Sequence, residues 1–269
     1  MSLLVDLKDA VEEQYFGGKA ASLAKGMEFS LPIPDGFVLH TEFVIKIQEK
    51  DAAAISLLES AFKKLDATVV VRSSAVGEDS KKASFAGQYL SVLNIKTFAQ
   101  LTEAVNRVAE SVSTKSVSIY KEKMGISEKP QMAIIVQKII DAEMAGVMFS
   151  KNPLTKIKEF VIESAWGVGE TVVDGLVIPD VFKLNADGQL LEATVGIKDI
   201  TIKLCEAGGT QEIEVDSEKS TEQTLNHDEL QELYRLGVSC ELIYGEGLDI
   251  EWGFHDGKIY LLQCRSMTT

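Results

Sequence analysis

The sequence contains few cysteines, and their scarcity excludes two kinds of small-domain architecture. Its 269 residues include only Cys205, Cys240 and Cys264. Three cysteines so far apart in the chain cannot build a disulfide framework or a zinc knuckle. A reducing, cytoplasmic environment is therefore the expected location.

Positive charge and long apolar runs are also scarce. The chain has 27 lysines and arginines against 41 aspartates and glutamates, which gives a net charge of -14. Nucleic acids and anionic membranes bind surfaces on which Lys and Arg are concentrated, and no apolar stretch approaches the ~18 residues of a membrane span. Residues 1–6 lack the basic and apolar regions of a secretion signal. We expect neither a nucleic-acid nor a membrane partner, and an anionic ligand must be met by a few placed cations.

The composition and the hydrophobic pattern predict a folded chain of mixed secondary structure. With 45% hydrophobic and 25% charged residues, the chain can bury one large core or two lobes. Periodicity predicts helices over 42–66 and 98–124. Strands are predicted over 68–75, 90–95, 131–140, 144–150 and 159–163.

The C-terminal segment is predicted to form a β-hairpin in which polar and apolar residues alternate. An Asp-Gly dipeptide is a strong turn signal, and strand-forming residues flank it on both sides. We interpret residues 255–257 as a three-residue loop. This loop predicts that Phe254 pairs with Lys258 and that Asp249 lies opposite Gln263.

Four polar side chains of this hairpin are suited to a metal ion and a phosphate. They are Asp249, Glu251, Gln263 and Arg265. Carboxylate and amide oxygens are hard ligands of the kind that Mg²⁺ takes, and a guanidinium suits a phosphate oxygen. The hairpin therefore indicates one half of a nucleotide–metal site. A solvated face with a cross-strand ion pair is the alternative.

Two cations near the N-terminus are candidate phosphate ligands. Lys19 follows a glycine pair and lies in the first turn of a short predicted helix that ends at Gly26, where free backbone amides also favour an anion. A surface lysine is the alternative, because the chain has no P-loop signature. Arg72 ends an apolar strand, where its burial is costly unless an anion meets it. That anion is either a phosphate or an internal carboxylate.

Three further features are suited to ligand contacts. The small-residue segment 77–89, which includes Gly87, is typical of a lid loop but also of a long surface turn. Gln137 interrupts an apolar strand, so it either caps a strand edge or bonds a ligand. The segment 165–175 has Gly-x-Gly without the third glycine, which argues against a Rossmann dinucleotide site.

Five ordered blocks of the chain together carry a specific resemblance. They are residues 17–23, 71–88, 146–150, 164–175 and 249–265. These blocks resemble the ATP-binding domain of the phosphoenolpyruvate synthase and pyruvate, phosphate dikinase family. The motifs Arg-Ser-Ser-Ala and Ser-Phe-Ala-Gly-Gln are more similar to those of the synthase, rifampicin phosphotransferase and glucan, water dikinase branches than to those of pyruvate, phosphate dikinase.

The resemblance implies an α+β fold of the ATP-grasp type, in which two lobes hold Mg-ATP between them. The expected lobes are 1–178, with the glycine loop and the phosphate-binding cations, and 179–269, with the metal-binding hairpin. The resemblance implies that Lys19, Arg72 and Arg265 bind the phosphates and that Gly87 lies in the loop over them. It places Gln137 near the base, Glu251 and Gln263 on Mg²⁺, and Asp249 beside these metal ligands. Glu170 is implied to be an acid of the glycine loop. Lys198 lies in a turn similar to one near the family's site, although a surface lysine also fits there.

The resemblance further implies that phosphate passes to a histidine on a separate swivelling domain and then to a pyruvate-type substrate on a third domain. His40, His227 and His255 do not fall in the family's phosphohistidine motif. We therefore expect those domains as partners, in a longer chain or in a second protein. Rifampicin or polysaccharide phosphorylation, and a nucleotide-sensing module without transfer activity, are the alternative functions.

Overall fold

The chain combines helices with antiparallel sheets, as its hydrophobic pattern predicts. The computed structural model describes residues 2–75, 79–80, 83–84, 90–111 and 132–267. The chain divides into two compact units. The first comprises Met1–Glu28, Asp35–Ile139 and Glu206–Gly209, and the second comprises Phe29–Pro34, Ile140–Cys205 and Thr210–Thr269.

The first unit is built around a five-stranded sheet. Its strands are β1 (Leu4–Asp6), β2 (Gly36–Leu39), β3 (Val69–Ala75), β6 (Ser91–Ile95) and β7 (Met132–Lys138), with a separate pair β4 (Asp79–Ser80) and β5 (Ala83–Ser84). Its helices are α1 (Glu13–Glu28), α2 (Thr41–Gln48), α3 (Ala52–Leu65) and α4 (Phe98–Ser111). The sheet order is β1-β2-β7-β3-β6, and each neighbouring pair is antiparallel.

Alternation along β3 gives the sheet of the first unit two different faces. Val69 and Val71 point into a hydrophobic core that also contains Leu58 of α3 and Leu101 of α4. Side chains two residues apart on a strand share a face, so Arg72 and Ser74 lie on the opposite side. That side packs against α1, since the Ser74 hydroxyl bonds to α1 backbone groups.

The predicted helix over 42–66 is wrong in one respect, because the chain forms two helices there. Lys50 adopts a left-handed conformation, with φ at 60°. The Asp51 carboxylate then accepts a bond of 2.8 Å from the Ala54 amide and caps a new helix. The aspartate before three alanines is the sequence signal for this break. Of the predicted helix over 98–124, α4 covers Phe98–Ser111, and residues 112–131 lie outside the described ranges.

The second unit contains a six-stranded antiparallel sheet and a separate hairpin. Its strands are β8 (Met144–Phe149), β9 (Phe160–Trp166), β10 (Asp180–Leu184), β11 (Leu190–Thr194), β12 (Ile200–Leu204), β13 (Thr210–Glu214), β14 (Leu248–His255) and β15 (Lys258–Ser266). The sheet order is β11-β10-β9-β8-β14-β15, and β12 pairs with β13. Its helices are α5 (Glu170–Val173), α6 (Ser217–Ser220) and α7 (His227–Tyr244).

Helix α7 covers one face of the six-stranded sheet. Its Gly237 lies so close to the sheet that an added Cβ would approach the Phe160 ring to 2.6 Å and the Met148 methyl group to 3.1 Å. Ile250 and Cys264 belong to the same buried set of side chains. The residues that alternate with these face away from α7.

The compact units differ from the predicted lobes 1–178 and 179–269. A boundary after residue 178 falls inside the second unit, between two paired strands of its sheet. Strands β9 and β10 pair from Ser164 opposite Asp180 to Phe160 opposite Leu184. The division after Ile139 keeps this sheet whole.

Lys198 is neither a surface lysine nor open to solvent, because it forms a buried ion pair with Asp180. Both side chains are fully buried. Asp180 also accepts bonds from the Gly196 amide and from the amide and hydroxyl of Thr224, each at 2.8 Å. One satisfied carboxylate therefore joins β10, the turn before Lys198 and the segment that precedes α7.

None of the helices in the described part of the chain combines the length and the apolarity that a membrane crossing requires.

We expect Lys198→Met to lower the free energy of unfolding by about 3–5 kcal/mol, because it leaves the Asp180 carboxylate buried without its cation. Urea denaturation measures this change. The matched control is Lys203→Met, which removes an exposed lysine of β12 and should stay within about 0.5 kcal/mol. Equal effects of the two substitutions would contradict a stabilising role for the buried pair.

Candidate functional site

The C-terminal hairpin has a shorter loop than the sequence predicted. His255 pairs with Lys258, so the loop contains two residues, Asp256 and Gly257. Their φ angles of 48° and 65° are those of a type I′ turn, whose twist matches that of the strands. The predicted three-residue loop, and with it the pairing of Phe254 with Lys258, is wrong.

A β-bulge changes the register of the two strands farther along the hairpin. The register shifts between Glu251 and Trp252, which lie opposite Gln263 and Leu261, so β15 carries one extra residue, Leu262, at this point. Beyond the shift, Glu251 lies opposite Gln263 and Asp249 lies opposite Arg265. The predicted pairing of Asp249 with Gln263 is therefore also wrong.

The four polar side chains of the hairpin nevertheless share one face of the sheet. Directly paired residues of antiparallel strands project to the same side, and so do residues two apart on one strand. Asp249, Glu251, Gln263 and Arg265 meet both conditions. The other face of these strands carries Ile250 and Cys264, which are buried in the core.

Asp249 and Arg265 form the cross-strand ion pair that the sequence left open as an alternative. One carboxylate oxygen, Oδ2, accepts from Nε at 2.9 Å and from Nη2 at 2.6 Å. Both side chains are mostly buried, with 15% and 21% of their surfaces exposed. Partial burial strengthens the pair relative to one in water and fixes the orientation of the guanidinium.

The donor set of this face fits a hard divalent cation. Glu251 and Gln263 are cross-strand neighbours, and such pairs have Cβ atoms roughly 4.5–5.5 Å apart. They offer a carboxylate and an amide oxygen, which are ligand types that Mg²⁺ accepts together with water and phosphate oxygens. Gln263 is 6% exposed, so its amide is held in place by its surroundings.

Glu163 adds a further carboxylate to the same face, which sequence analysis missed. It lies opposite Val147 of β8, and Val147 lies opposite Glu251. Burial raises the pKa of Glu163 above its ordinary value, and the charge of Asp249 raises it further. The only sequence signal is a single acid within the apolar strand Phe-Val-Ile-Glu-Ser-Ala-Trp.

The hairpin cysteine is unsuited to nucleophilic chemistry. A hydrogen bond with Cys240 and burial raise the pKa of the Cys264 thiol far above its ordinary value. Thiolate is the reactive form of cysteine, so this residue is inert at neutral pH. Cys264 acts as a small apolar residue on the buried face of β15.

In the first unit, a serine at the end of β3 holds the glycine turn that precedes Lys19. The Ser74 hydroxyl donates to the Phe16 carbonyl at 2.7 Å and accepts from the Ala20 amide at 3.0 Å. Gly17 has φ at 79°, and an added Cβ would lie 2.2 Å from the Ser74 carbonyl oxygen. The predicted short helix is thus the second part of α1, which bends at Gly17 and ends at Glu28.

Three predicted ligand residues of the first unit occupy one side of its sheet. Arg72 shares its face with Ser74, which contacts the turn that carries Lys19. Gln137 lies opposite Val70, two residues before Arg72 on β3, so its side chain projects to the same side. Lys19 and Arg72 are half-buried, and Gln137 is almost fully buried.

Gly87 and Glu170 are the remaining predicted site residues. Gly87 lies outside the described residues. Glu170 is half-buried and begins the short helix α5 of the second unit, directly after a tight turn in which Gly167 has φ at 82°.

The three histidines lie at the ends of helices or strands. His40 caps α2, since its Nδ1 accepts from the Glu42 amide at 3.1 Å. His227 begins α7 beside a capping box formed by Asn226 and Glu229, as the sequence predicted. His255 ends β14, where its ring nitrogens lie 3.9 Å and 3.7 Å from carboxylate oxygens of Glu143 and Asp256. None is a predicted phosphate acceptor.

Comparison with protein families identifies the chain. The family model of the pyruvate phosphate dikinase AMP/ATP-binding domain matches residues 39–269. The chain belongs to this family. The resemblance drawn from the five sequence blocks is therefore confirmed, and the helices and antiparallel sheets agree with the predicted α+β class.

Several curated proteins are similar to the chain over most of its length. A probable phosphoenolpyruvate synthase of Methanocaldococcus jannaschii is 34% identical over 94% of the chain and 25% of its own length. The uncharacterized phosphotransferase YvkC of Bacillus subtilis is 37% identical over 95% and 34%. A rifampicin phosphotransferase of Bacillus subtilis is 33% identical over 74% and 23%. The chain thus spans about a quarter to a third of the length of these relatives.

Among solved structures, D-alanine–D-alanine ligase of Bacillus anthracis matches 96% of the chain and 59% of its own chain, with 10% identity and a TM-score of 0.46.

We expect Gly17→Ala to lower the free energy of unfolding by at least about 1–2 kcal/mol, because a left-handed conformation is costly for alanine and the new Cβ meets the Ser74 carbonyl. Thermal and urea denaturation measure the loss. Gly169→Ala is the control, since no atom lies within 4 Å of its added Cβ, and it should change stability by less than about 0.5 kcal/mol. A Gly17→Ala variant as stable as this control would disprove the strain at the turn.

Proposed function

We propose that the chain is the ATP-binding, histidine-phosphorylating part of a phosphoenolpyruvate synthase-like phosphotransferase. The observation that carries this proposal is the common face of Asp249, Glu251, Gln263 and Arg265 in a chain of this family. That face combines two hard oxygen ligands with an oriented guanidinium. Such a combination suits a metal-bound polyphosphate.

Each unit supplies residues with a distinct task in this proposal. In the first unit, Lys19 and Arg72 bind phosphate oxygens, the glycine loop with Gly87 covers them, and Gln137 contacts the base. In the second unit, Glu251 and Gln263 hold Mg²⁺, Arg265 binds phosphate, and Asp249 orients Arg265 through the ion pair. Glu170, at the start of α5, completes the proposed cofactor-binding set.

The chemistry that we propose is phosphoryl or pyrophosphoryl transfer to a histidine on a separate domain. Phosphoryl transfer depends on positioning and on neutralising charge at the phosphate oxygens. Lys19, Arg72 and Arg265 would supply positive charge at fixed positions, and Mg²⁺, when bound, adds two further charges. The acceptor histidine is proposed to come from elsewhere, because His40, His227 and His255 all lie outside the family's phosphohistidine motif.

The rest of the proposed reaction involves partners beyond these 269 residues. Relatives that share this domain are three to four times as long, which leaves room in those proteins for further domains. A swivelling phosphohistidine domain and a pyruvate-type substrate domain are the partners that we propose, in the cytoplasm. The match to a rifampicin phosphotransferase favours a second candidate, in which the final acceptor is rifampicin.

Calorimetric titration with ATP tests the proposed site. We expect binding that requires Mg²⁺ and that is lost in the double variant Glu251→Ala, Gln263→Ala, because the variant lacks both proposed metal ligands. The matched control removes the same residue types at exposed positions of β13, with Gln211→Ala and Glu212→Ala. ATP binding that is independent of Mg²⁺, or equal in the two double variants, would refute the proposed metal site.

We expect Arg72→Ala to weaken ATP binding by about tenfold or more, the usual effect of losing a hydrogen bond to a charged group. Adenosine binding should be unchanged, since the proposed contact is to phosphate. Arg107→Ala, which removes an exposed arginine of α4, is the control and should leave both affinities as they are. Unchanged ATP affinity in Arg72→Ala would exclude the proposed phosphate contact.

A further inference from the structure

Glu163 is a half-buried carboxylate that faces the proposed metal ligands without a cation of its own. The ionised form is disfavoured at this position, since burial and the charge of Asp249 both raise its pKa. Within the described part of the chain, no hydrogen bond or ion pair compensates its charge. Arg265 lies on the same face, but its guanidinium is directed to Asp249.

The strand register fixes the direction in which this carboxylate projects. A single row crosses four strands, from Gln263 through Glu251 and Val147 to Glu163. Members of such a row project to one side of the sheet. The side chain between the two acids is valine, so nothing polar in the row separates them.

The spacing of the row allows a water-mediated contact between Glu163 and an ion held at Glu251. Glu163 and Glu251 are two strands apart, which places their Cα atoms roughly 10 Å from each other. Magnesium keeps several of its water ligands when one or two protein oxygens bind it. A carboxylate at this distance can accept hydrogen bonds from those waters instead of bonding to the ion.

We propose that Glu163 is a positioning residue of the divalent-cation site, which strengthens metal binding by accepting hydrogen bonds from the water ligands of the ion held by Glu251 and Gln263. This inference rests on the proposed function. With this role, strand β9 contributes to a site whose proposed metal ligands, Glu251 and Gln263, lie on β14 and β15. Bound Mg²⁺ would also supply the positive charge that Glu163 lacks in the protein.

The test is Glu163→Gln, which keeps the size and shape of the side chain and removes its charge. We expect the variant to bind Mn²⁺, a paramagnetic substitute for Mg²⁺, about tenfold more weakly than the wild type, because loss of an outer carboxylate typically costs 10–100-fold in metal affinity. Electron paramagnetic resonance of free Mn²⁺, titrated with the intact chain, measures the affinity. Glu163→Asp keeps the charge and should bind Mn²⁺ more tightly than Glu163→Gln.

The melting temperature distinguishes this role from a purely structural one, because loss of a structural residue would lower it. The ionised carboxylate is destabilising in the folded chain without metal, so Glu163→Gln should melt at or above the wild-type temperature at neutral pH. The control is Glu192→Gln, which removes the same charge from an exposed position of β11 paired with Lys183. It should leave Mn²⁺ affinity within twofold of the wild type.

The outcomes separate this inference from the function on which it rests. If Glu251→Ala, Gln263→Ala abolishes Mn²⁺ binding and Glu163→Gln binds like the wild type, the role of Glu163 is wrong and the metal site stands. If Glu163→Gln lowers both Mn²⁺ affinity and melting temperature, the residue is structural and the inference also fails. An intact wild-type chain that binds neither Mn²⁺ nor Mg-ATP would overturn the inference together with the proposed function.

Discussion

The register in which β14 pairs with its two neighbours determines which chemistry the second unit can perform. Side chains alternate across a sheet, so a shift of one residue would move every polar group of the strand to the buried face. The opposite face is already occupied by Trp252, Ile250 and the residues beneath α7. Exchange of the two sets would bury Asp249 and Glu251 in an apolar core, which is costly for unpaired charge. The same packing that stabilises the sheet therefore selects the face on which the carboxylates emerge.

A comparable constraint acts in the first unit, but through a hydroxyl group and a glycine. Ser74 both donates to and accepts from the backbone around the turn at Gly17. Because Ser74 and Arg72 belong to one strand face, the lysine after the turn and the arginine of the strand are set by a single local structure. In each unit, the candidate ligands thus depend on buried residues that take no part in chemistry.

The sequence predicted residue types and elements better than it predicted their connections. Alternation along 249–265 identified the polar face, and the helix start at Asn226 was correct because a capping box is a local signal. The loop length was wrong, since an Asp-Gly pair is compatible with loops of two or three residues and only the twist of the paired strands selects between them. The break at Lys50 was missed although Asp51 is a strong helix cap, because the apolar period continues through it.

Other features depend on contacts between distant segments, which a single sequence does not show. Glu163 reaches the polar face only through the pairing of β9 with β8, which is a contact between distant segments. Lys198 and Asp180 are buried together although both residue types are usually exposed, and only the fold brings the Thr224 and Gly196 donors to the same carboxylate. The compact units depend on such contacts too, since the pairing of β9 with β10 joins residues on both sides of position 178 in one sheet.

The bulge at Leu262 has a consequence for how this hairpin can vary in length. Leu262 is the extra residue of β15 at the register shift, so its deletion would leave each remaining pair of β14 and β15 as it is. Removal of one residue from the turn would instead rotate Gln263 and Arg265 toward the core. Natural variants of the hairpin should therefore gain or lose single residues at the bulge, whereas the turn should keep its length of two.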